Sequence, residues 1–162
     1  MKKFDEPNAL NNVAQFHKTF NLPIVDVPSI PEKVRCDLRI NLLEEELSEL
    51  KTAIEENDLV EVIDALCDIQ YVLSGAIHEF GFGQKFKQMF EEVQRSNMSK
   101  TCKTEEEAIA TQKHYHDKNG TVSEIIQRDE EYIVYRKEDG KVLKSVKYSP
   151  ADLKQFLNTV KL

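Results

Sequence analysis

The chain has 162 residues, 40% of them hydrophobic, and a net charge of −7 at pH 7. That length suffices for one buried core, and the acidic balance argues against a nucleic-acid polymer as partner, because such binders display a basic stripe. The start, MKKFDEPNALNN, has no long apolar run, so neither a signal peptide nor a membrane span is expected; Cys36, Cys67 and Cys102, odd in number and without C-x-x-C spacing, fit free thiols in a reducing, cytoplasmic compartment.

In chain order, an amphipathic helix is expected from about Ala9 to Phe20, stopped by Asn21-Leu22-Pro23 and followed by the extended, proline-spaced PIVDVPSIP. Pro31 suits the first turn of a long second helix, with Ser29 or Ile30 just before it. Asn57-Asp58 supplies a turn and a cap for a third helix that ends near Gly81 and Gly83, and a fourth spans about Gln84 to Asn97. Helices on such short connections imply a bundle, with sites built from facing side chains. Past Thr104 a short helix ends at Asn119-Gly120. TVSEIIQR, EEYIVYR and KVLKSVKY then read as an antiparallel meander, with Asp139-Gly140 as a hairpin signal. Ser149-Pro150 starts a terminal helix running to about Val160. The expected fold is mainly α: a four-helix-type bundle with a small C-terminal β meander and a terminal helix. Residues 1–103 are expected to form the helical catalytic domain and 104–162 an elaboration packed on it.

The second and third helices carry the chemistry. At about 100° per residue, Glu45, Glu49 and Glu46 of NLLEEELSEL share one sector beside an apolar sector of Leu43, Leu47, Leu50 and Ile54. Glu44, Ser48, Lys51 and Glu55 lie on the far side, where water is expected. In EVIDALCD, Glu61, Asp64 and Asp68 form a second stripe, bordering Val62, Leu66, Ile69, Leu73 and Ile77. Packing one apolar face on the other carries both acidic edges inward, where like charges raise one another's pKa and cost stability unless a cation neutralises them. A single glutamate-rich helix is most often a solvated face; two of them, each beside an apolar stripe, favour a metal site. The donors are all oxygens, which suits Mg²⁺ or Mn²⁺ and argues against zinc. No Glu-x-x-His pair occurs, as a di-iron bundle would require.

These residues resemble the all-α nucleoside triphosphate pyrophosphohydrolases, the MazG-like and phosphoribosyl-ATP pyrophosphohydrolase-like superfamily, whose pattern is E-E-x-x-E, a spacer, then E-x-x-D. VAQFHKTFNLP, VRCDLRINLLEEELSEL, DALCDIQYVLSG, GAIHEFGFG, VQRSNMSK and DGKVLKSVKYSPADL are all similar to its small stand-alone and phage-type branch. The resemblance implies Mg²⁺-dependent hydrolysis of a nucleoside triphosphate, or a related nucleotide, between the α and β phosphates. It implies metal on Glu46, Glu49, Asp68 and either Asp64 or Glu61, and it puts Glu45 at the position of the base that orients or deprotonates the attacking water. One departure stands out: Ala65 occupies the place of an expected second Glu ligand, leaving Asp64 or Glu61 to supply the oxygen.

Arg39 lies one helical repeat before Glu46, serving either substrate phosphates or an ion pair to the acidic cluster. The resemblance adds Asn97 and Lys100 of RSNMSK as substrate ligands and places His17, with Phe16, near the nucleotide pocket, whereas Arg95, His114 and His116 read as surface. A nucleotide-binding or regulatory bundle that keeps the metal but turns over weakly is the alternative, favoured by Ala65. Apolar faces left uncovered around an acidic open edge predict a homodimer or a dimer of dimers.

Overall fold

The computed structural model describes residues 2–157. They divide into two compact units, the first ending at Phe86 and the second starting at Lys87. The fold is mainly α with a small antiparallel β element, and no described helix is long and apolar enough to cross a membrane.

The first unit contains α1 (Ala9–Thr19), α2 (Lys33–Glu56) and α3 (Leu59–Glu79). α2 and α3 form a helical hairpin, and α1 packs on α3. The hairpin turn is built from two residues. Asn57 ends α2 in the left-handed conformation at φ 56°, and the Asp58 carboxylate accepts the Val60 and Glu61 backbone N–H groups, satisfying donors at the start of α3.

α2 starts at Lys33, two residues after Pro31, so the proline is not in its first turn. The cause lies upstream. Val25 N–H donates to the His78 carbonyl and Ser29 N–H to the Phe80 carbonyl, which holds the proline-spaced segment extended along the end of α3. At that junction Gly81 has φ +75°, and a Cβ there would overlap the Val27 carbonyl, so position and backbone both demand glycine.

The second unit contains α4 (Phe86–Met98, opening on the last residue of the first unit), α5 (Glu105–Asn119), β1 (Ser123–Arg128), β2 (Glu131–Arg136) and a 3₁₀ turn at Lys154–Phe156. Thr104 caps α5 by accepting the Glu107 N–H, and Gly120 ends it in the left-handed region. β1 and β2 pair antiparallel from Ser123↔Arg136 to Arg128↔Glu131, turning through Asp129 at φ 51°. Cys102, Ala108, Val134 and Leu143 form the core, covered by Tyr115, Ile125 and Tyr132.

Two expected elements are not formed among the described residues. KVLKSVKY makes a single bridge, Tyr135↔Val142, instead of a third strand. The free edge of β2 is already occupied at Tyr132 by a bridge to Cys102, and Ser145 N–H turns away to the Lys100 carbonyl. Ser149 does not cap a terminal helix among the described residues: the Asp152 N–H, the donor its hydroxyl would accept as a cap, goes instead to the Glu92 carboxylate. Only the short 3₁₀ turn follows, and the remainder of the expected helix, from 158 to Val160, lies outside the described residues.

Candidate functional site

In a helical hairpin, residues equally far from the turn stand at the same height, because both helices rise about 1.5 Å per residue. Glu46 on α2 therefore stands within about one residue's rise of Asp68 on α3, and Glu49 within about one of Ala65 and two of Asp64. Glu46 is half-buried, and its Oε2 is buried with no hydrogen-bond partner among the described residues. Burial first, then the charges of Asp68, Glu49, Glu45 and Asp64, push its carboxyl above the usual carboxylate range. Those four carboxylates are exposed. The two acidic edges thus act together on Glu46, but they lie at the surface of the hairpin and are not turned inward as the sequence led one to expect.

Glu61 is placed differently. It lies in the first turn of α3, roughly 10 Å along the axis from Asp68, level with buried Ala53, and it is not among the charges acting on Glu46. Ala65 is buried, so the position that departs from the family pattern is taken into packing. Among the described residues, no three His, Cys, Asp or Glu side chains close around a common point tightly enough to hold a metal ion. The donor set nevertheless fits a hard divalent cation: all the groups are carboxylate oxygens, and the orphaned Oε2 of Glu46 needs a positive partner.

At the open end of the hairpin the charges are matched. Glu79, only 1% exposed, receives Arg35 Nε at 3.1 Å and further hydrogen bonds from Arg35 Nη2 and Arg39 Nη2. Burial pushes the Glu79 carboxyl up, but the two guanidinium groups outweigh it and hold the pKa below the usual range. Arg39 also donates to His17 Nε2 at 3.3 Å, and His17 Nδ1 lies 2.8 Å from the Pro23 carbonyl. Nδ1 therefore donates, and burial keeps the neutral ring by lowering its pKa. Gly75 is what lets the Arg39 guanidinium lie against α3, since a Cβ would stand 2.7 Å from its Nη1.

Arg39 and His17, together with Val13, Phe16, Leu38 and Tyr71, line a cavity of about 260 Å³. Arg39 Nε is buried and has no partner among the described residues. The ion pair weighed for Arg39 from the sequence is present, but its acid is Glu79 and not the Glu46 cluster. Glu79 and Arg35 were missed by the sequence reading. The signal that could have found them is the four-residue spacing of the two arginines in VRCDLRIN, which puts both on one face of α2.

In the second unit, Asn97 is exposed and Lys100 partly so, and Lys100 Nζ donates to Asn97 Oδ1 at 2.8 Å. Arg95 is held by Glu92 and by the Pro150 carbonyl. Cys102 is core, while Cys67 is exposed on α3; all three cysteines are free.

A family profile described as phosphoribosyl-ATP pyrophosphohydrolase matches residues 13–97, a span that takes in most of α1, both acidic helices and nearly all of α4. A curated relative, the uncharacterized protein L479 of Acanthamoeba polyphaga mimivirus, is 25% identical over 225 aligned positions, covering 82% of this chain and 89% of the relative. With more than half of its length inside that profile, the chain belongs to the phosphoribosyl-ATP pyrophosphohydrolase family.

Proposed function

We propose that the protein hydrolyses a nucleoside triphosphate, or a related nucleotide, between the α and β phosphates, yielding a nucleoside monophosphate and pyrophosphate. The observation that carries this reading is Glu46, a half-buried carboxylate with an orphaned oxygen in the field of four others. Mg²⁺ held by Glu46, Glu49, Asp68 and Asp64 or Glu61, with Mn²⁺ as a substitute, would polarise the phosphates and offset developing charge. Glu45 orients the attacking water and takes its proton as the water oxygen bonds to phosphorus and the bridging P–O bond breaks, its electron pair leaving with the departing phosphate group. The partnerless Arg39 Nε, at the cavity it shares with His17, supports a role for these residues in holding an acceptor group of the substrate. Asn97 and Lys100 are proposed as further substrate ligands.

A nucleotide panel with Mg²⁺ or Mn²⁺, read for pyrophosphate against orthophosphate, tests the reaction. Metal-dependent pyrophosphate release from at least one nucleotide is expected; orthophosphate alone, or no product from any member, counts against the reading.

The chain is also proposed to assemble as a homodimer or a dimer of dimers. Leu47, Ile54, Ile63 and Leu66 of α2 and α3 are each more than half exposed, an apolar surface that association would cover. Multi-angle light scattering at micromolar concentration should give a mass of two or four chains, and a monomer mass contradicts the proposal.

A further inference from the structure

Within the second unit, the end of α4 and the segment that failed to become a third strand are stitched together. Ser145 N–H donates to the Lys100 carbonyl at 3.2 Å, and Ser149 N–H to Ser99 Oγ at 3.0 Å, across 50 positions of sequence. These bonds bring the side chains of SNMSK and KSVKYS to one place. Tyr148 Oη lies 3.0 Å from Ser96 Oγ, and Lys144 Nζ sits 4.4 Å from the centre of the Tyr148 ring. The hydrogen bond with Ser96 and, against the opposing effect of burial, the ammonium charges of Lys144 and Lys100 lower the phenol's pKa from its ordinary value. Both lysines therefore act on the same hydroxyl.

The charge bookkeeping around this spot is unusual for so acidic a chain. Lys147 is paired with buried Glu107 at 3.5 Å and Lys103 with Glu131, but among the described residues neither Lys100 nor Lys144 has a carboxylate partner. Two uncompensated ammonium groups, a phenol and the Asn97 amide share one surface. With Ser96 Oγ donating to Tyr148 Oη, the phenolic proton is available to a ligand, as is the Asn97 Nδ2 group while its Oδ1 accepts from Lys100. The carboxylate that bonds to this segment, Glu107, is buried and taken up by Ser145 and Lys147, so the two lysines and the neutral donors remain for phosphoryl oxygens to match.

We propose that Lys144 and Tyr148 join Lys100 and Asn97 in an anion-binding surface for a polyphosphate group, so that the C-terminal segment contributes directly to ligand binding. The two lysines hold the charge as point cations and the two neutral donors fix orientation. The pyrophosphohydrolase reading supplies only the class of ligand; the surface itself is independent of it.

The test uses the full chain and two readouts. In the first, inorganic triphosphate is titrated calorimetrically into the metal-free protein at low ionic strength, with EDTA present. The parent should bind, Lys144→Ala should weaken binding by about tenfold or more, Tyr148→Phe by a smaller factor, and Lys144→Arg should recover most of the loss. Lys113→Ala, which removes an exposed charge on α5, should bind like the parent. In the second, steady-state kinetics on the nucleotide that is turned over should show KM raised by Lys144→Ala with kcat little changed. Failure of the parent to bind triphosphate, parent-like binding by Lys144→Ala, or an equal loss in Lys113→Ala overturns the proposal. Loss of binding in Lys144→Ala beside a parent that releases no pyrophosphate leaves the anion surface standing and removes the hydrolase reading.

Discussion

Glu45→Gln is expected to lower turnover by about 10²–10⁴-fold, the range of a lost general base, while leaving most of the Mg²⁺ affinity intact. Glu46→Gln and Asp68→Asn should instead lose metal affinity and activity together. The difference follows from position: Glu46 buries an oxygen that has no donor among the described residues, so its neutralisation removes the group most in need of a cation, whereas Glu45 is an exposed neighbour whose charge acts on it from the edge. Calorimetry of Mg²⁺ or Mn²⁺ binding beside kinetics separates the two roles. Asp64→Asn, within the field on Glu46, should cost more metal affinity than Glu61→Gln near the turn. Parent-like metal binding and turnover in both Glu46→Gln and Asp68→Asn would sink the metal-site assignment.

The second large effect is on stability. Glu79→Gln leaves Arg39 buried and Arg35 partly buried with no anion, and breaking such a pair on one side costs about 3–5 kcal/mol. The same ion cluster sets a pH dependence of definite sign. The folded pKa of Glu79 is below its ordinary value of 4.5, so its contribution is fully present above that value and is lost as pH falls through the lower, folded one. Urea denaturation of parent and Glu79→Gln at neutral pH should show the full difference, which should narrow on acidification below about 4.5. An equal stability of the two proteins at pH 7 would show that the cluster carries no net weight.

Much of this was legible because it is local. The apolar and acidic stripes on α2 and α3, the Asn57-Asp58 turn and the Gly120 cap each depend on residues a few positions apart, and helical geometry fixes their outcome. What escaped depends on partners distant in sequence. Glu79 reads as one more helical acid until α2 brings Arg35 and Arg39 against it from 40 or more positions away. KVLKSVKY has the composition of a strand, but Cys102 competes for the same edge of β2 and Lys100 captures Ser145. Ser149 has the look of a helix cap, yet the Asp152 N–H that its hydroxyl would accept is claimed by Glu92, 60 residues earlier. The candidate site divides in the same way. Glu46 could be singled out only once the hairpin set Asp68 at its height, and Arg39 acquired its second role from a cavity whose lining comes from three helices.

The stitching of Ser99 and Lys100 to Ser149 and Ser145 also bears on the order in which the protein assembles. The α2–α3 hairpin closes through a two-residue turn, the kind of short-range contact that forms fast. The second unit must bring Cys102 to Tyr132 and position 145 to position 100, loops whose closure entropy is met before any contact rewards it. The lysines that face one hydroxyl are 44 positions apart in sequence, so a chain in which only the short-range contacts have formed has its acidic hairpin but not its basic surface.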